Sequence, residues 1–320
     1  MRSKHNGKEG DSVSSVVVFG SLNMDLAIES ERMPQQGETI PGWGFFVNAG
    51  GKGANQAVAA AKFGVPTYLI GATGRDAFGE QIIAGLEGYG VRCEEVSRVE
   101  GIETGVAIVL KSGGDNRIVL SPGANHTLGI DEVNASLDRV ARPGDVFLAQ
   151  LECDIDTTVA ALGSAHARGM ITVLNAAPAH KLDDRVWPSV DVLCVNETEC
   201  EAICGVLPVD DETIDRALDA LVALGSKTVI VTLGERGSVA LSEGRTIRQQ
   251  AMSVKAVDTT AAGDTFTGVV VSACLKGLSL EQGMEWASCA AALTASNNGA
   301  QQAIPVFSDV ERAMAERGAA

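Results

Sequence analysis

The run Ser15-Val16-Val17-Val18-Phe19-Gly20 decides the fold. Its four central residues are apolar, three of them β-branched, and a glycine stops them. A strand with no polar face must be covered on both sides, as a strand inside a parallel sheet is. Runs of the same kind return at 67–71, 145–149, 171–175, 191–195 and 228–232. Between them lie helical stretches at 53–63, 76–89, 131–141, 156–168 and 212–224. Strand and helix in alternation predict an α/β fold, a doubly wound, mostly parallel sheet with helices on both faces.

Two stretches break the alternation. Segments 25–30 and 39–47 flank a turn at Pro34 and Gly37, and segments 105–111 and 117–121 flank the loop Ser112-Gly113-Gly114-Asp115-Asn116. They read as antiparallel strands of a second, small sheet. So small a sheet needs something to cover, or a partner chain along its edge. The expectation is a β lid, inserted at about 24–48 and 104–121 into a domain running over 15–310. Residues 1–14 are polar and aperiodic and read as a disordered leader, and 311–320 read as a C-terminal tail.

Composition narrows the function. The 320 residues are 45% hydrophobic and 21% charged, with 36 Gly and 9 Pro, which is the profile of a folded globular chain. Lys and Arg number 25 against 41 Asp and Glu, a net charge of −16 that repels polyanions. Nucleic acid is therefore not expected as a ligand, and a phosphate-bearing partner needs a local site. No apolar run reaches the roughly 20 residues that cross a bilayer, and no hydrophobic segment follows the first lysines, so a cytoplasmic chain without membrane association is expected. The seven cysteines (93, 153, 194, 200, 204, 274 and 289) are odd in number and form no Cys-x-x-Cys pair. They read as reduced structural thiols.

Ligands of an open parallel sheet bind beyond the carboxyl ends of its strands. Asn23 and Asp25 follow the first strand, Glu152 the third, Asn196 and Glu199 the fifth, and Gly234 and Gly237 the sixth. The segment Asn48-Ala49-Gly50-Gly51-Lys52-Gly53-Ala54-Asn55-Gln56 places glycines where backbone meets a ligand or another chain segment closely. It matches neither the Walker A loop, since Gly53 follows Lys52, nor the dinucleotide fingerprint, since Gln56 stands where a third glycine belongs. A dinucleotide-dependent oxidoreductase is set aside on that ground. Two readings stay open, a bare glycine turn or a sugar-hydroxyl site using Lys52 and Asn55.

The segment Val257-Asp258-Thr259-Thr260-Ala261-Ala262-Gly263-Asp264-Thr265-Phe266 carries the strongest signal. Small residues 261–263 leave backbone N–H groups bare at the start of a helix, which makes an anion hole. Asp264 stands in its first turn, where the helix dipole favours the carboxylate. A carboxylate beside an anion hole suits a general base that accepts a proton from an alcohol while the amides hold a phosphoryl group; the plain alternative is a helix cap. Asn196-Glu197-Thr198-Glu199 likewise reads either as a capping box or as a group holding water around Mg²⁺ on a nucleotide.

Taken in order, several motifs resemble the PfkB family of carbohydrate kinases over residues 16–305, on its ribose-phosphorylating branch. They are Gly20-Ser21-Leu22-Asn23-Met24-Asp25, Gly50 through Gln56, Gln150-Leu151-Glu152, Asn175-Ala176-Ala177-Pro178-Ala179, Asn196 through Glu199, Thr232-Leu233-Gly234 and Asp258 through Phe266. The resemblance implies transfer of the γ-phosphoryl group of ATP to the primary hydroxyl of D-ribose, with Asp264 as base and 261–264 as anion hole. It implies that Asn23, Asp25, Gly51, Lys52, Asn55 and Glu152 grip the sugar. Asn196, Thr232, Gly234, Gly237, Gly263 and Ser288 fall to the nucleotide, and Glu199 to Mg²⁺ through water. A monovalent cation, K⁺, would lie on Asp258 and on main-chain oxygens at Thr260, Thr294, Asn297 and Gly299, with Ala303 standing where Ser commonly adds a hydroxyl ligand and Gln302 where Pro is common. The resemblance also implies a homodimer made through the lid. Other alcohol acceptors, 2-deoxyribose or a nucleoside, are the rival within the class, and a non-catalytic sugar-binding regulator the rival outside it. Asn23 favours ribose, because a carboxamide built to bind a ring hydroxyl penalises the analogue lacking it.

Overall fold

The computed structural model describes residues 14–113 and 115–318. The chain opens with β1 (Val16–Phe19), β2 (Asn23–Glu29), β3 (Trp43–Gly50), α1 (Lys52–Lys62), β4 (Thr67–Gly74) and α2 (Ala77–Gly88). It continues through β5 (Val91–Arg92), β6 (Val96–Val99), β7 (Gly105–Ser112), β8 (Asp115–Ser121), α3 (Ile130–Val140), β9 (Val146–Ala149), α4 (Ile155–Ala167) and β10 (Ile171–Asn175). Then come β11 (Val192–Val195), α5 (Glu197–Cys204), α6 (Asp211–Ala223), β12 (Thr228–Thr232), β13 (Ser238–Ser242), β14 (Arg245–Gln249), α7 (Ala262–Leu275), α8 (Leu280–Ala295) and α9 (Phe307–Gly318).

The large sheet runs β14-β13-β12-β11-β10-β9-β1-β4-β5, with β6 on the second half of β4. From β12 to β5 every neighbour is parallel, as the apolar runs require. Residues along β1 alternate between two cores: Val16 and Val18 join the one beneath α1, α2, α7, α8 and α9, and Val17 and Phe19 join the one beneath α3 to α6. Each of these fully buried side chains contributes about 1.5–3 kcal/mol relative to exposure. β13 and β14 close one edge as an antiparallel hairpin. No apolar run announced it, because Arg245, Thr246 and Arg248 leave β14 only Ile247 to bury.

The second sheet runs β3-β2-β7-β8. Its outer pairs are antiparallel as expected, but the central pair β2–β7 is parallel, from Asn23↔Gly105 to Glu29↔Lys111. β2 follows β1 directly and β7 follows β6, and β1 and β6 both run parallel to β4, so both lid strands leave the main sheet in the same direction. The strands also lie closer to the main sheet than the turn signals suggested, 23–29 and 43–50 in place of 25–30 and 39–47. Large apolar side chains remain exposed on the lid, among them Trp43, Phe45, Ile118 and Val119.

The expected tail at 311–320 is corrected: α9 continues to Gly318. Val310 is fully buried and Phe307 stacks on Trp286 with ring centroids 5.3 Å apart. Together with Ala313 and Met314, they give the helix an apolar face at three- and four-residue spacing. The leader expected at 1–14 lies, but for Ser14, outside the described residues. No helix among the described residues is long and apolar enough to cross a membrane.

Candidate active site

The site forms where α7 and α1 begin. Ala261 caps α7 in the left-handed conformation, φ 61°, and turns the chain so that the first helical amides face outward. Ala262 N–H is not bare, since it donates to the Thr259 carbonyl at 3.2 Å. The N–H groups of Gly263 and Asp264 find no carbonyl partner, as the first turn of a helix dictates. A Cβ added to Gly263 would meet nothing within 4 Å, so nothing from elsewhere among the described residues crowds this glycine at the start of α7. Of the four amides expected at 261–264, that of Ala262 is taken, and those of Ala261, Gly263 and Asp264 have no acceptor among the described residues.

Two glycines let the helices approach. A Cβ on Gly268 of α7 would lie 2.7 Å from the Gln56 carbonyl and the Ala59 side chain of α1, and one on Gly53 would lie 2.4 Å from the Gly20 backbone. With those atoms absent, α1 brings two carboxamides onto Asp264. Asn55 Nδ2 donates to Asp264 Oδ2 at 2.9 Å and Gln56 Nε2 to Oδ1 at 3.0 Å. Gln56 is itself fixed, donating to Asn175 Oδ1 at 2.8 Å and accepting from Gln150 Nε2 at 2.7 Å. Asp264 is 7% exposed and Gln56 not at all, so the base candidate sits in a dry amide cradle at the cleft floor. Asn55 Oδ1 has no hydrogen-bond partner.

Beyond Asn55 lies a crevice under the lid. Glu152 Oε2 accepts from Ser21 Oγ at 2.5 Å, from Lys52 N–H at 3.1 Å and from Asn23 Nδ2 at 3.5 Å. Asn23 is 3% exposed, and Asn125 Nδ2 donates to its Oδ1 at 2.7 Å, which turns the Asn23 amide nitrogen toward the crevice. Asp25 lies on the same strand; burial, then the charges of Glu152 and Asp264, push its carboxyl up to about 7. Burial works against the charge of Lys52, but Asp264, Glu152 and Glu199 outweigh it and raise its hold on the proton. Gly51, the N-cap of α1, completes the wall. The structure brings Asn23, Asp25, Gly51, Lys52, Asn55, Glu152 and Asp264 to one region.

On the other side of Asp264 a cavity of about 620 Å³ is lined by Asn196, Thr232, Gly234, Gly237, Ser288 and Gly263, every residue expected at a nucleotide. Phe266, Met252 and Val254 give it an apolar wall. Glu199 is 6% exposed at its edge and forms the capping box of α5, accepting Asn196 N–H at 2.9 Å and Asn196 Nδ2 at 3.0 Å. Burial lifts its carboxyl above the ordinary carboxylate range, while the Asn196 N–H and Lys52 pull the other way. Each oxygen keeps a second lone pair, so water can be held there. No group of three His, Cys, Asp or Glu side chains that could hold a metal ion occurs among the described residues.

The set expected for a monovalent cation is arranged differently. Asp258 Oδ1 accepts Thr260 N–H at 3.0 Å and Thr260 Oγ1 at 2.6 Å. Its Oδ2 accepts Gly299 N–H at 3.4 Å and, from the lid, Lys111 Nζ at 3.5 Å. Four donors occupy the four lone-pair sites of the carboxylate. Although burial would raise it, the Thr260 donors, Lys111 and the Gly299 N–H together hold Asp258 below the usual carboxylate range. Of the main-chain oxygens expected beside it, that of Thr294 accepts Asn297 N–H at 3.1 Å, those of Thr260, Asn297 and Gly299 accept no hydrogen bond among the described residues, and Ala303 has no polar side chain to offer.

Sequence reasoning singled out neither Gln56, Gln150, Asn175 nor Asn125 as site residues. The only signal was that three of them stand within motifs already quoted.

Residues 13–306 match a family profile described as pfkB family carbohydrate kinase. A ribokinase of Schizosaccharomyces pombe is 37% identical over 93% of this chain and 96% of its own length. A deoxyribokinase of Salmonella typhi is 33% identical over 91% of this chain and 95% of its own. Among solved structures, that of Arabidopsis thaliana ribokinase complexed with ribose and ATP superposes with a TM-score of 0.85 at 32% identity, covering 94% of this chain and 98% of that one.

Proposed function

The chain belongs to the pfkB family of carbohydrate kinases, and from that premise we propose that it transfers the γ-phosphoryl group of ATP to the primary hydroxyl of D-ribose, giving D-ribose 5-phosphate and ADP. One observation carries the reading. Asp264 lies between a polar crevice and a cavity of nucleotide size, beside the two unpartnered amides at 263 and 264.

Ribose binds under the lid, its hydroxyls donating to Asp25, Glu152 and Asn55 Oδ1 and accepting from Asn23 and Lys52. ATP fills the cavity, with Ser288 and the apolar wall toward the base and Asn196, Thr232, Gly234 and Gly237 along the nucleotide. Asp264 takes the proton of the primary hydroxyl as the oxygen forms its bond to the γ-phosphorus and the bond to the β-phosphate oxygen breaks. The Gly263 and Asp264 N–H groups, with Lys52, face the charge that gathers on the transferring group. Glu199 would hold Mg²⁺ through water, and the bound ion would screen the charge of the phosphates.

Apolar side chains exposed on the lid, Trp43 and Val119 among them, support a homodimer in which two lids cover each other. Seven unpaired thiols and the need for ATP support a cytoplasmic setting. The Salmonella typhi relative keeps 2-deoxyribose as the second reading. The Asn125-held amide of Asn23 favours ribose, because a sugar without the matching hydroxyl leaves that donor unpaired. A panel of pentoses and nucleosides assayed for ADP release with Mg-ATP tests the assignment: ribose is expected to give the highest kcat/KM, and equal values for ribose and 2-deoxyribose refute it.

A further inference from the structure

We infer that Cys200 and Cys204, facing each other on the last turn of α5, form a dithiol that hydrogen peroxide closes to a disulfide, and that closure loosens the hold on the nucleotide. The second half rests on the nucleotide reading of the cavity; the first concerns the thiols alone.

The geometry carries it. Cys200 Sγ and Cys204 Sγ lie 3.7 Å apart, four residues along one helix face. Residues so spaced rise about 6 Å along the axis, inside the Cα separation of about 4.4–6.8 Å that a disulfide bridges. Cys200 is fully buried and Cys204 half-buried, so peroxide from solvent meets Cys204 first and Cys200 stands behind it. A hydrogen bond from Cys200 also lowers the Cys204 thiol from its ordinary value, toward the thiolate that attacks. The Cys204 sulfur bonds to one peroxide oxygen, the O–O bond breaks and the other oxygen leaves as water. Cys200 sulfur then attacks the sulfenic sulfur, the S–S bond forms, the S–O bond breaks and a second water carries off the Cys200 proton. Each sulfur gives up one electron and the peroxide takes two.

The link to the nucleotide runs through the loop after α5. Cβ atoms four apart on a helix face lie about 5–6 Å from each other and those of a disulfide about 3.5–4.5 Å, so the bond tightens the last turn of this eight-residue helix. It also removes the S–H groups beside the Val206 carbonyl, which lies 3.4 Å from Cys200 Sγ and 4.0 Å from Cys204 Sγ. Arg236 holds the same loop, donating from Nη2 to the Pro208 carbonyl and from Nη1 to the Val209 carbonyl, each at 2.7 Å. Arg236 stands between Gly234 and Gly237, which line the nucleotide cavity, and its Nη2 lies 3.4 Å from Glu197 Oε1 in the first turn of α5. A shift at 204–206 therefore reaches the glycine turn through one guanidinium. Neither thiol lines the cavity itself.

The test treats the reduced parent, Cys204→Ser and Cys200→Ala with hydrogen peroxide, removes the excess, and reads two quantities: the mass of the alkylated peptide that spans both residues, and the Kd of ADP by calorimetry. In the parent, Cys200 and Cys204 are expected to escape alkylation together, each short of one hydrogen, and the Kd to rise about fivefold, the worth of one net hydrogen bond. Dithiothreitol is expected to restore both. Each variant is expected to keep its Kd after peroxide, with the exposed Cys274 present in all three proteins as an internal control. Cys204→Ser carries the comparison if the buried Cys200→Ala fails to fold. No disulfide between these two residues, or a disulfide that leaves the Kd unchanged, overturns the inference. So does a Cys204→Ser protein that loses affinity as the parent does. A reduced parent that binds no ADP overturns the nucleotide reading and the second half with it, whereas one that binds ADP but phosphorylates no pentose overturns the sugar assignment alone and leaves the same two readouts to decide.

Discussion

Asp258, in the turn before α7, takes donors from Thr260, Gly299 and Lys111 on both oxygens and is held below the usual carboxylate range. Asp25, on lid strand β2, takes no hydrogen bond from the described residues and is pushed up to about 7 by burial and by its neighbours Glu152 and Asp264. The same side chain thus stands at two sides of one crevice in opposite states. Where the protein supplies every donor, the carboxylate is structural and has nothing left to offer. Where it supplies none, the carboxylate waits for donors from outside, and sugar hydroxyls are donors. Asp264 lies between these limits, with one amide on each oxygen and a lone pair of each still free.

The comparison breaks most sharply at Asp264. Asp264→Asn keeps the shape and loses the proton acceptor, so kcat is expected to fall about 10³-fold, within the range for general-base removal, with KM for ribose changed little. ADP release measures it, and robust turnover by the variant removes the assigned base. Next in size is the sugar contact: Asn23→Ala should cut the preference for ribose over 2-deoxyribose by roughly 5- to 150-fold, the worth of one buried polar group left unpaired. Competition between the two sugars reads it directly.

The titration of Asp25 comes third. Its native carboxyl binds a proton more tightly than the unfolded chain does, so its contribution to the stability of the free protein falls as pH rises from the ordinary value of 3.8 through about 7. Ribose needs the ionised form. KM for ribose is therefore expected to rise about tenfold for each pH unit below 7, and to flatten in Asp25→Asn. A KM profile flat from pH 5.5 to 8 in the parent would show that the empty carboxylate is not what the sugar meets. Smallest is the amide relay. Gln56→Met should lower kcat by about fivefold, the worth of one net hydrogen bond of about 1 kcal/mol, and leave KM for ribose unchanged. A change in KM alone would make Gln56 part of the sugar pocket and not the support of the base.

The strands at 171–175 and 228–232 were legible to the residue, because each is a short run rich in β-branched residues whose apolar stretch ends on a polar one, Asn175 and Thr232. The residues around Asp264 were legible because small residues before an acid at a helix start serve few other purposes. What stayed hidden depends on distance along the chain. Gln56 meets Gln150 across 94 positions and Asp264 across 208, and a lone glutamine in a helix announces neither partner. Lys111 reads as an ordinary polar end of a hairpin until the parallel β2–β7 seam carries it to Asp258.

The left-handed Ala261 has a consequence for how damage at this turn would be noticed. Its Cβ is strained at φ 61°, and glycine would remove that strain, while giving the unfolded chain more freedom by a similar amount. Ala261→Gly should therefore melt within about 2 °C of the parent yet hold its amides less firmly and turn over more slowly. A screen that ranks variants by heat resistance would pass it as silent, and only a rate would reveal the injury.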